Sequence, residues 1–272
     1  MKLVTVDGNE ACSNTAYMFT EVAGIYPITP ASPMAEHVDE WSNNGVLNIF
    51  NDKVKVVEMQ SEAGAAGMVH GSLQAGILTT TFTASQGLLL MIPNMYKIAG
   101  EMLPCVIHVA ARSLATHALS IFGDHQDIYA TRQTGFAILA SSSVQDAAYL
   151  SAVAHLATIK GRVPFVHFYD GFRTSHELHK VNILELDDIK DLVDYDAIKS
   201  FRANALQIGK PITRGTAQND DIYFQATEVR NPYYDSIVDT VVDYMDKINK
   251  VTKSDYKPFN YYGSKNATNV IV

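Results

Sequence analysis

The sequence predicts an α/β domain built on a doubly wound, parallel β-sheet. Segments typical of strands and of helices alternate at least five times between residues 25 and 169. The run at residues 106–110 is apolar without alternation, as expected for a parallel strand covered on both faces. Hydrophobic residues make up 47% of the 272-residue chain, which is enough to build a substantial core.

Composition excludes several classes of protein. The net charge is −8, from 21 basic and 29 acidic residues, and no basic run is present, which argues against a nucleic-acid-binding surface. The longest strongly apolar run, residues 88–93, is too short to span a membrane. The first residues lack the apolar region of a signal peptide. Cys12 and Cys105 form no Cys-x-x-Cys pair, which predicts reduced thiols in a cytoplasmic protein without its own zinc or iron–sulfur site.

The first half of the predicted sheet begins with a strand at residues 25–28, after a helix that runs through residues 16–22. Pro27 and Pro30 rigidify the end of this strand and hold Thr29 between them. Such bracing suits a preorganised site around one hydroxyl group. It equally suits an ordinary strand-to-helix turn, in which Ser32 caps a helix over residues 33–44 and Pro33 takes its first position.

The second strand, at residues 54–57, is predicted to be buried and to lead into an unusual helix. Ser61 is placed as its N-cap, and Glu62 falls in the first turn, where the helix dipole favours an anion. Three glycines at spacings of three and four share one helical face, at a cost of about 1 kcal/mol each. Two interpretations stay open, namely tight helix–sheet packing and a Glu62 carboxylate aimed into a crowded apolar site. The three glycines are Gly64, Gly67 and Gly71.

The next strand–helix–strand unit places an arginine at the end of a strand. A threonine-rich strand at residues 78–82 is followed by a turn at 83–87. The hydroxyl residues of this turn, Thr83 and Ser85, are natural N-caps for the helix at 88–99. Arg112 follows the C-terminal end of the strand at 103–110. Ligands of open α/β sheets bind outside these strand ends, so Arg112 is either an anion ligand or a surface arginine.

The remainder of the chain completes the sheet and then changes character. Residues 122–127 form a polar loop whose His and Asp spacing matches no standard metal site, so no metal is predicted there. A strand at 136–140, a helix at 142–160 and a strand at 163–169 follow. Beyond residue 179 we expect an acidic segment at 184–192, a polar loop at 211–232 and an amphipathic helix at 233–251. The last three residues are apolar and read as the start of another strand.

Four motifs carry a family resemblance that covers nearly the whole chain. They are YPITP at residues 26–30, EMQSEAGA at 58–65, TASQGLLLM at 83–91 and RGTAQ at 214–218. Together they closely resemble the N-terminal domain of pyruvate:ferredoxin (flavodoxin) oxidoreductases of the single-chain type. That resemblance implies a thiamine-diphosphate-binding fold, with this domain binding the aminopyrimidine of the cofactor.

The resemblance also implies roles for individual residues. Glu62 matches the glutamate that contacts the pyrimidine N1′ and favours the 4′-imino tautomer, which takes the proton from the thiazolium C2. Thr29 and Arg112 match positions that bind pyruvate, so Glu62, Thr29 and Arg112 are the expected catalytic residues. Pro27 and Thr29 join Glu62 as expected cofactor-binding residues. In this chemistry the cofactor supplies reactivity and the protein supplies orientation.

The family implied by the motifs is larger than this chain. Its diphosphate and Mg²⁺ motif, Gly-Asp-Gly followed by Asn, is not present, and neither are the cysteines of [4Fe-4S] clusters. We therefore expect residues 1–256 to be the pyrimidine-binding domain with an extension, and residues 257–272 to be a linker and the start of a second domain. The chain alone is expected to be inactive. In the full enzyme we expect pyruvate, coenzyme A, ferredoxin or flavodoxin, and a second identical subunit as partners.

Two alternatives to pyruvate oxidation stay open. One is a related 2-oxoacid oxidoreductase with another substrate, such as 2-oxoglutarate or an aryl pyruvate. The other is a noncatalytic interaction module of the same fold. The presence of Glu62, Thr29 and Arg112 together argues against the second, because a degenerate copy would be free to lose them.

Overall fold

The structure, a computed structural model, describes residues 1–271. Strands and helices alternate along the first two thirds of the chain, and helices dominate the rest. The strands are β1 (Lys2–Val6), β2 (Val22–Ile25), β3 (Lys55–Glu58), β4 (Thr79–Thr83), β5 (Val106–Ala111), β6 (Ala137–Ala140), β7 (Phe165–Asp170) and β8 (His179–Ile183). The helices are α1 (Gly8–Phe19), α2 (Ser32–Asn43), α3 (Glu62–Gln74), α4 (Ser85–Gly100), α5 (Gln126–Thr131), α6 (Val144–Gly161), α7 (Leu186–Ile189), α8 (Tyr195–Ala203), α9 (Asp220–Glu228) and α10 (Asn231–Thr252).

Six of the strands form one parallel sheet, in the order β3-β2-β4-β5-β7-β6. The chain moves outward from β2 to β3 and then returns to place β4 on the other side of β2. This reversal makes the gap between β2 and β4 a topological switch point, where open α/β sheets bind their ligands. The predicted α/β class and parallel sheet are confirmed.

Helices cover both faces of the sheet. Helices α1, α2 and α6 pack together on one face, and α3 and α4 pack together on the other. Strand β5 is buried at all six positions, as its unbroken apolar run predicts. Outside these layers, α10 lies against α6, and β1 pairs antiparallel with β8. No helix within residues 1–271 has both the length and the apolarity to cross a membrane.

Two strand predictions need correction. The strand predicted at residues 25–28 is β2, and it ends at Ile25 because Pro27, with no N–H to donate, stands in the segment beyond it. The strand predicted as buried at residues 54–57 is β3. It is an edge strand, exposed at Lys55 and Glu58 and only partly buried between them.

Two predicted helix caps are also wrong. Helix α2 has Ala31 as its N-cap and no side-chain cap, and Pro33 stands at its second position rather than its first. No hydroxyl group caps α4 either, because Ala84 takes the N-cap position. Ser61, by contrast, caps α3 as predicted, with its Oγ accepting from Gly64 N–H at 3.1 Å.

The glycine face of α3 does not serve tight packing within this domain. A Cβ added at Gly67 or at Gly71 would have no described atom within 4 Å, and one at Gly64 would meet only the side chain of Gln60. The interpretation as helix–sheet packing is therefore wrong, because the buried positions of α3 lie on its other side. They include Ala65, Ala66 and Val69.

The C-terminal residues belong to no helix or strand. Residues 257–270 run without regular hydrogen-bonded structure, and Ile271 is fully exposed. The predicted strand start falls on residues 270–272, of which Val272 lies outside the described residues. The division into residues 1–256 and 257–272 stays a prediction.

Candidate active site

The predicted site residues come together at the carboxyl-terminal edge of the sheet, around the switch point. Thr29 lies four residues beyond β2, and Arg112 directly follows β5. Glu62 opens α3, a few residues beyond the end of β3. Because parallel strands all end at the same edge, residues far apart in sequence meet there.

Glu62 is buried at the first position of α3, with 7% of its surface exposed. Its carboxylate lies in the first turn of α3, and its charge raises the pKa of Arg112. Gly87, in the first turn of α4, makes room for the Glu62 side chain. A Cβ at Gly87 would stand 2.8 Å from Glu62 Cγ and 2.9 Å from its Oε1. The lack of a side chain at Gly87 therefore lets the Glu62 side chain pack directly against the first turn of α4, and we call Glu62, Thr83 and Gly87 together the cradle.

A second oxygen faces the same cradle without a partner. Thr83 Oγ1 would lie 2.6 Å from a Cβ on Gly87, and it has no hydrogen-bond partner among the described residues although it is fully buried. Buried hydroxyl groups are normally paired. The cradle therefore places a buried carboxylate beside a hydroxyl group that lacks a partner within residues 1–271, and both groups can hydrogen-bond to a polar ligand.

Arg112 is a desolvated cation with an open donor. Only 6% of its surface is exposed, and its Nη1 donates to the carbonyl oxygen of Thr29 at 2.6 Å. Its Nε has no partner within residues 1–271. Burial lowers the pKa of Arg112, while the carboxylates of Asp127 and Glu62 oppose that shift. A buried guanidinium with an unpaired N–H suits a carboxylate ligand.

Thr29 and Pro27 lie on an exposed segment whose inner side is hydrogen-bonded to a buried asparagine. Both residues are exposed, and the peptide bond between Thr29 and Pro30 is cis. Asn9, which is fully buried, donates from Nδ2 to the carbonyl oxygen of Pro30 at 2.8 Å and accepts from the hydroxyl of Tyr169 at 2.9 Å. The segment is therefore held in place while its outer side stays open to a ligand.

Sequence reasoning did not assign Thr83, Gly87 or Asp127 to the site. Asp127, assigned to a polar loop, is the second residue of α5 and has no solvent exposure. Its carboxylate accepts from the backbone N–H groups of Ser85 and Arg112 at 2.7 and 3.0 Å. The available signal was its position directly before Ile128, an apolar residue that starts a buried helical turn.

The fourth motif lies elsewhere. Arg214 donates from Nη1 to Oε1 of Gln74, the last residue of α3, at 2.7 Å. Glu62 stands at the other end of that helix, about 18 Å away at 1.5 Å per residue. Arg214 is therefore not part of the edge at which Glu62, Thr29 and Arg112 meet.

Comparison with known proteins shows which family this chain resembles. Residues 14–246 match the family model described as pyruvate flavodoxin/ferredoxin oxidoreductase, thiamine diphosphate-binding. The pyruvate:ferredoxin oxidoreductase of Moorella thermoacetica is 62% identical over 268 residues, which cover 98% of this chain and 23% of that protein. The pyruvate-flavodoxin oxidoreductase of Klebsiella pneumoniae is 60% identical over 271 residues, again 23% of its length. The chain thus spans about a quarter of these curated relatives.

A solved structure shares the fold. The 2-oxoglutarate:ferredoxin oxidoreductase from Magnetococcus marinus, solved with 2-oxoglutarate, coenzyme A and succinyl-CoA bound, aligns with a TM-score of 0.61. The alignment covers 94% of this chain and 46% of that one, at 17% sequence identity. At that identity the likeness shows a common architecture.

Proposed function

Because this chain belongs to the pyruvate flavodoxin/ferredoxin oxidoreductase family, as its thiamine diphosphate-binding domain, we propose that it binds the aminopyrimidine of that cofactor. The full enzyme decarboxylates pyruvate oxidatively to acetyl-CoA and CO₂ and passes the electrons to ferredoxin or flavodoxin. Relatives at 62% and 60% identity, which are named pyruvate:ferredoxin oxidoreductase and pyruvate-flavodoxin oxidoreductase, support this proposal.

The observation that carries the proposal is the cradle between Glu62, Thr83 and Gly87. A buried carboxylate and an unpaired buried hydroxyl lie side by side against Gly87, and together they form a donor–acceptor set that suits an aminopyrimidine edge. The desolvated guanidinium of Arg112 stands at the same edge with an open N–H. A site for an anionic substrate is therefore next to a site for a polar ring.

The division of labour follows from these positions. Thiamine diphosphate, when bound, supplies the thiazolium carbon that adds to the keto carbon of the substrate and takes up the electron pair released with CO₂. Glu62 holds a proton at the pyrimidine N1′ through its buried carboxylate. Proton transfer by a positioned carboxyl group contributes about 10²–10⁴-fold in rate.

The substrate is held by residues beyond β2 and β5. Arg112 binds the carboxylate of pyruvate through its free Nε–H, while its Nη1 stays tied to Thr29. The Thr29 hydroxyl donates to a substrate oxygen, and Pro27 lines the cofactor beside it. Orientation of this kind converts a bimolecular encounter into an effectively unimolecular step.

The rest of the enzyme lies outside this chain in our proposal. Residues 1–256 form the pyrimidine-binding domain and residues 257–272 lead to a second one. Mg²⁺ with the diphosphate site and the [4Fe-4S] clusters belong to further parts of the protein. We also propose a cytoplasmic homodimer that uses coenzyme A as the acetyl acceptor.

The substitution Glu62→Gln in the full-length enzyme tests the proposal. Gln is nearly isosteric and keeps a hydrogen bond, but it cannot carry the charge that favours a protonated N1′. We expect the exchange of the cofactor C2 proton for deuterium, followed by NMR, to slow by about 10²–10⁴-fold, with cofactor affinity reduced only modestly.

The matched control is Glu36→Gln on the exposed side of α2, which should leave that exchange unchanged. If Glu62 only interacts with the helix dipole, its substitution costs under about 1 kcal/mol of stability and leaves the exchange rate intact. That outcome would refute the catalytic assignment. Assays of the wild-type enzyme with a panel of 2-oxoacids separate pyruvate from other substrates, and turnover of none of them would favour the noncatalytic module.

A further inference from the structure

Asp127 joins the ends of two neighbouring strands through one carboxylate. Its Oδ2 accepts from the N–H of Ser85, which follows β4, at 2.7 Å, and from the N–H of Arg112, which follows β5, at 3.0 Å. Its Oδ1 accepts from the N–H of Ile128 at 2.8 Å. Burial raises the pKa of Asp127, while these three backbone donors lower it. The charge of His125 also lowers this pKa, after the three backbone donors.

Each strand end depends on this carboxylate. Ser85 has a left-handed backbone, with φ of 52°, which side-chain-bearing residues adopt only when the surroundings hold them there. Its hydroxyl donates to the carbonyl oxygen of Ser113 at 2.6 Å, which adds a second tie between the same two strand ends. Without Asp127, two fully or nearly buried N–H groups would be left unpaired.

The two tied segments carry the two halves of the proposed site. Two residues beyond Ser85, Gly87 forms the cradle beside Glu62, and Arg112 presents the guanidinium. A fixed distance between the ends of β4 and β5 therefore fixes the cradle relative to the cation. The negative charge of Asp127 also favours the charged form of Arg112 against the effect of burial.

We propose that Asp127 is a positioning residue, which sets the placement of Arg112 against the cradle and thereby the affinity for the substrate carboxylate. It acts through the backbone of Arg112 and of Ser85, without touching the substrate. This inference rests on the proposed role of Arg112 in binding pyruvate.

The test uses Asp127→Asn in the full-length enzyme. Asn keeps the size but is uncharged and offers one acceptor oxygen to three backbone N–H groups, so at least one of them meets an NH₂ group and the remaining bonds lose the strength that the charge gives them. We expect the KM for pyruvate to rise about 10-fold or more, in line with the loss of hydrogen bonds to a charged group. Asp124→Asn, in the exposed loop just before α5, is the matched control and should leave KM unchanged.

A double-substitution cycle with Arg112→Ala separates positioning from general damage to the fold. If Asp127 acts through Arg112, Asp127→Asn raises KM in the wild-type background and has little further effect once Arg112 is removed. Equal effects in both backgrounds, or a lowered Tm with an unchanged KM, would overturn the inference. Should the Asn variant not fold, Asp127→Glu keeps the charge and moves the carboxylate by one methylene. An unchanged KM in a folded Glu variant would equally overturn it.

The same cycle distinguishes this inference from the proposed function. If Arg112→Ala leaves the KM for pyruvate unchanged, the role of Arg112 itself fails, whatever Asp127 does. If Arg112→Ala raises KM and Asp127→Asn does not, only the positioning role of Asp127 fails.

Discussion

Two buried polar clusters in this domain differ in whether their polar atoms have hydrogen-bond partners. The edge cluster, at the carboxyl ends of the strands, consists of Glu62, Thr83, Arg112 and Asp127. The imidazole cluster consists of Cys12, His108, His155 and His167, packed between the sheet and helices α1 and α6. All these residues are at least nine-tenths buried. The edge cluster leaves polar atoms unpaired, whereas the imidazole cluster pairs its atoms within itself.

Hydrogen bonds run continuously through the imidazole cluster. His108 and His167 face each other on paired strands, with their Nδ1 atoms 2.9 Å apart, and the Nε2 atoms of His108 and His155 are 3.0 Å apart. Ser141 Oγ contacts His167 Nε2 at 2.8 Å, and Cys12 Sγ lies 3.2 Å from His108 Nδ1. Each neutral imidazole has one donor and one acceptor, so the chain can be satisfied without any added group.

The difference separates a structural network from a binding site. Cys12, His108 and His167 are close enough to hold a metal ion. Their residue types alone would therefore suggest a binding site more strongly than those of the edge cluster do. Their nitrogens nevertheless already have partners inside the domain. Arg112 Nε and Thr83 Oγ1 have none within residues 1–271. Thr81 Oγ1, in the middle of β4, is unpaired as well, so an unpaired buried atom indicates a ligand only where it lies at the strand ends beside other polar groups.

Arg112→Ala in the full-length enzyme tests whether the edge cluster binds a ligand, and it should strongly reduce pyruvate affinity. Removal of one partner of a desolvated charge pair costs roughly 2–5 kcal/mol. The apparent affinity for pyruvate should therefore fall about 30-fold or more, while cofactor affinity changes little. Steady-state kinetics with pyruvate and titration with the cofactor measure the two effects. Arg132→Ala, at an exposed position after α5, is the control, and a pyruvate affinity unchanged in the Arg112 variant would contradict the assignment.

The imidazole cluster should make the folded domain less stable in acid. Burial lowers the pKa of His155 and of His167 to about 3, and that of His108 well below its usual 6.5. Unfolded imidazoles bind protons below about pH 6.5 while the folded ones stay neutral, so stability is complete above pH 6.5 and falls as the pH drops towards 3. The free energy of unfolding should fall by about 1.4 kcal/mol per pH unit for each imidazole, or by about 4 kcal/mol per pH unit for the three together.

Urea unfolding of the 272-residue chain at pH 5.5 and 4.5, a range between the folded and unfolded pKa values, measures this slope. His155→Gln should make the slope shallower by about one proton, and His117→Gln, at an exposed position, should leave it unchanged. Equal slopes in the wild-type and His155 variants would show that the cluster does not control acid stability.

Gly87→Ala should affect activity more than stability. The added methyl group would lie within 3 Å of Glu62 Cγ, Glu62 Oε1 and Thr83 Oγ1, so it displaces the carboxylate from the cradle. Overpacking of this kind costs about 1–3 kcal/mol, and a misplaced catalytic group costs about 10²-fold in rate. We expect kcat of the full-length enzyme to fall by about that factor with a small change in Tm. Normal turnover would mean that the cradle is not used.

The smallest expected effect concerns Gly67 on the exposed side of α3. In the 272-residue chain, Gly67→Ala should stabilise the fold by up to about 1 kcal/mol, because Ala favours the helix and meets no described atom. Urea unfolding measures this gain. If the glycine face receives the cofactor or another domain, the same substitution should lower the activity of the full-length enzyme. Unchanged activity would leave that face without such a role.

The sequence by itself determined the class of the fold and most of its elements. The alternation of strands and helices predicted the parallel sheet, because the hydrophobic pattern of a doubly covered strand is local. Ser61 and Glu62 were placed at the start of α3 for the same reason, since a cap and its helix dipole act within a few residues. The four motifs identified the family before any coordinate was known.

Only the tertiary structure decided which polar residues have partners. Asp127 was predicted to lie in a loop, and it ties two strand ends that are 27 residues apart in sequence, at Ser85 and Arg112. Tight helix–sheet packing was one of two interpretations of the glycine face of α3, and in the structure this face lies open at Gly67 and Gly71. Burial and pairing depend on chain segments that meet only after folding, and no local pattern encodes them. For that reason the open Nε of Arg112, on which the proposed substrate site depends, could be found only in three dimensions.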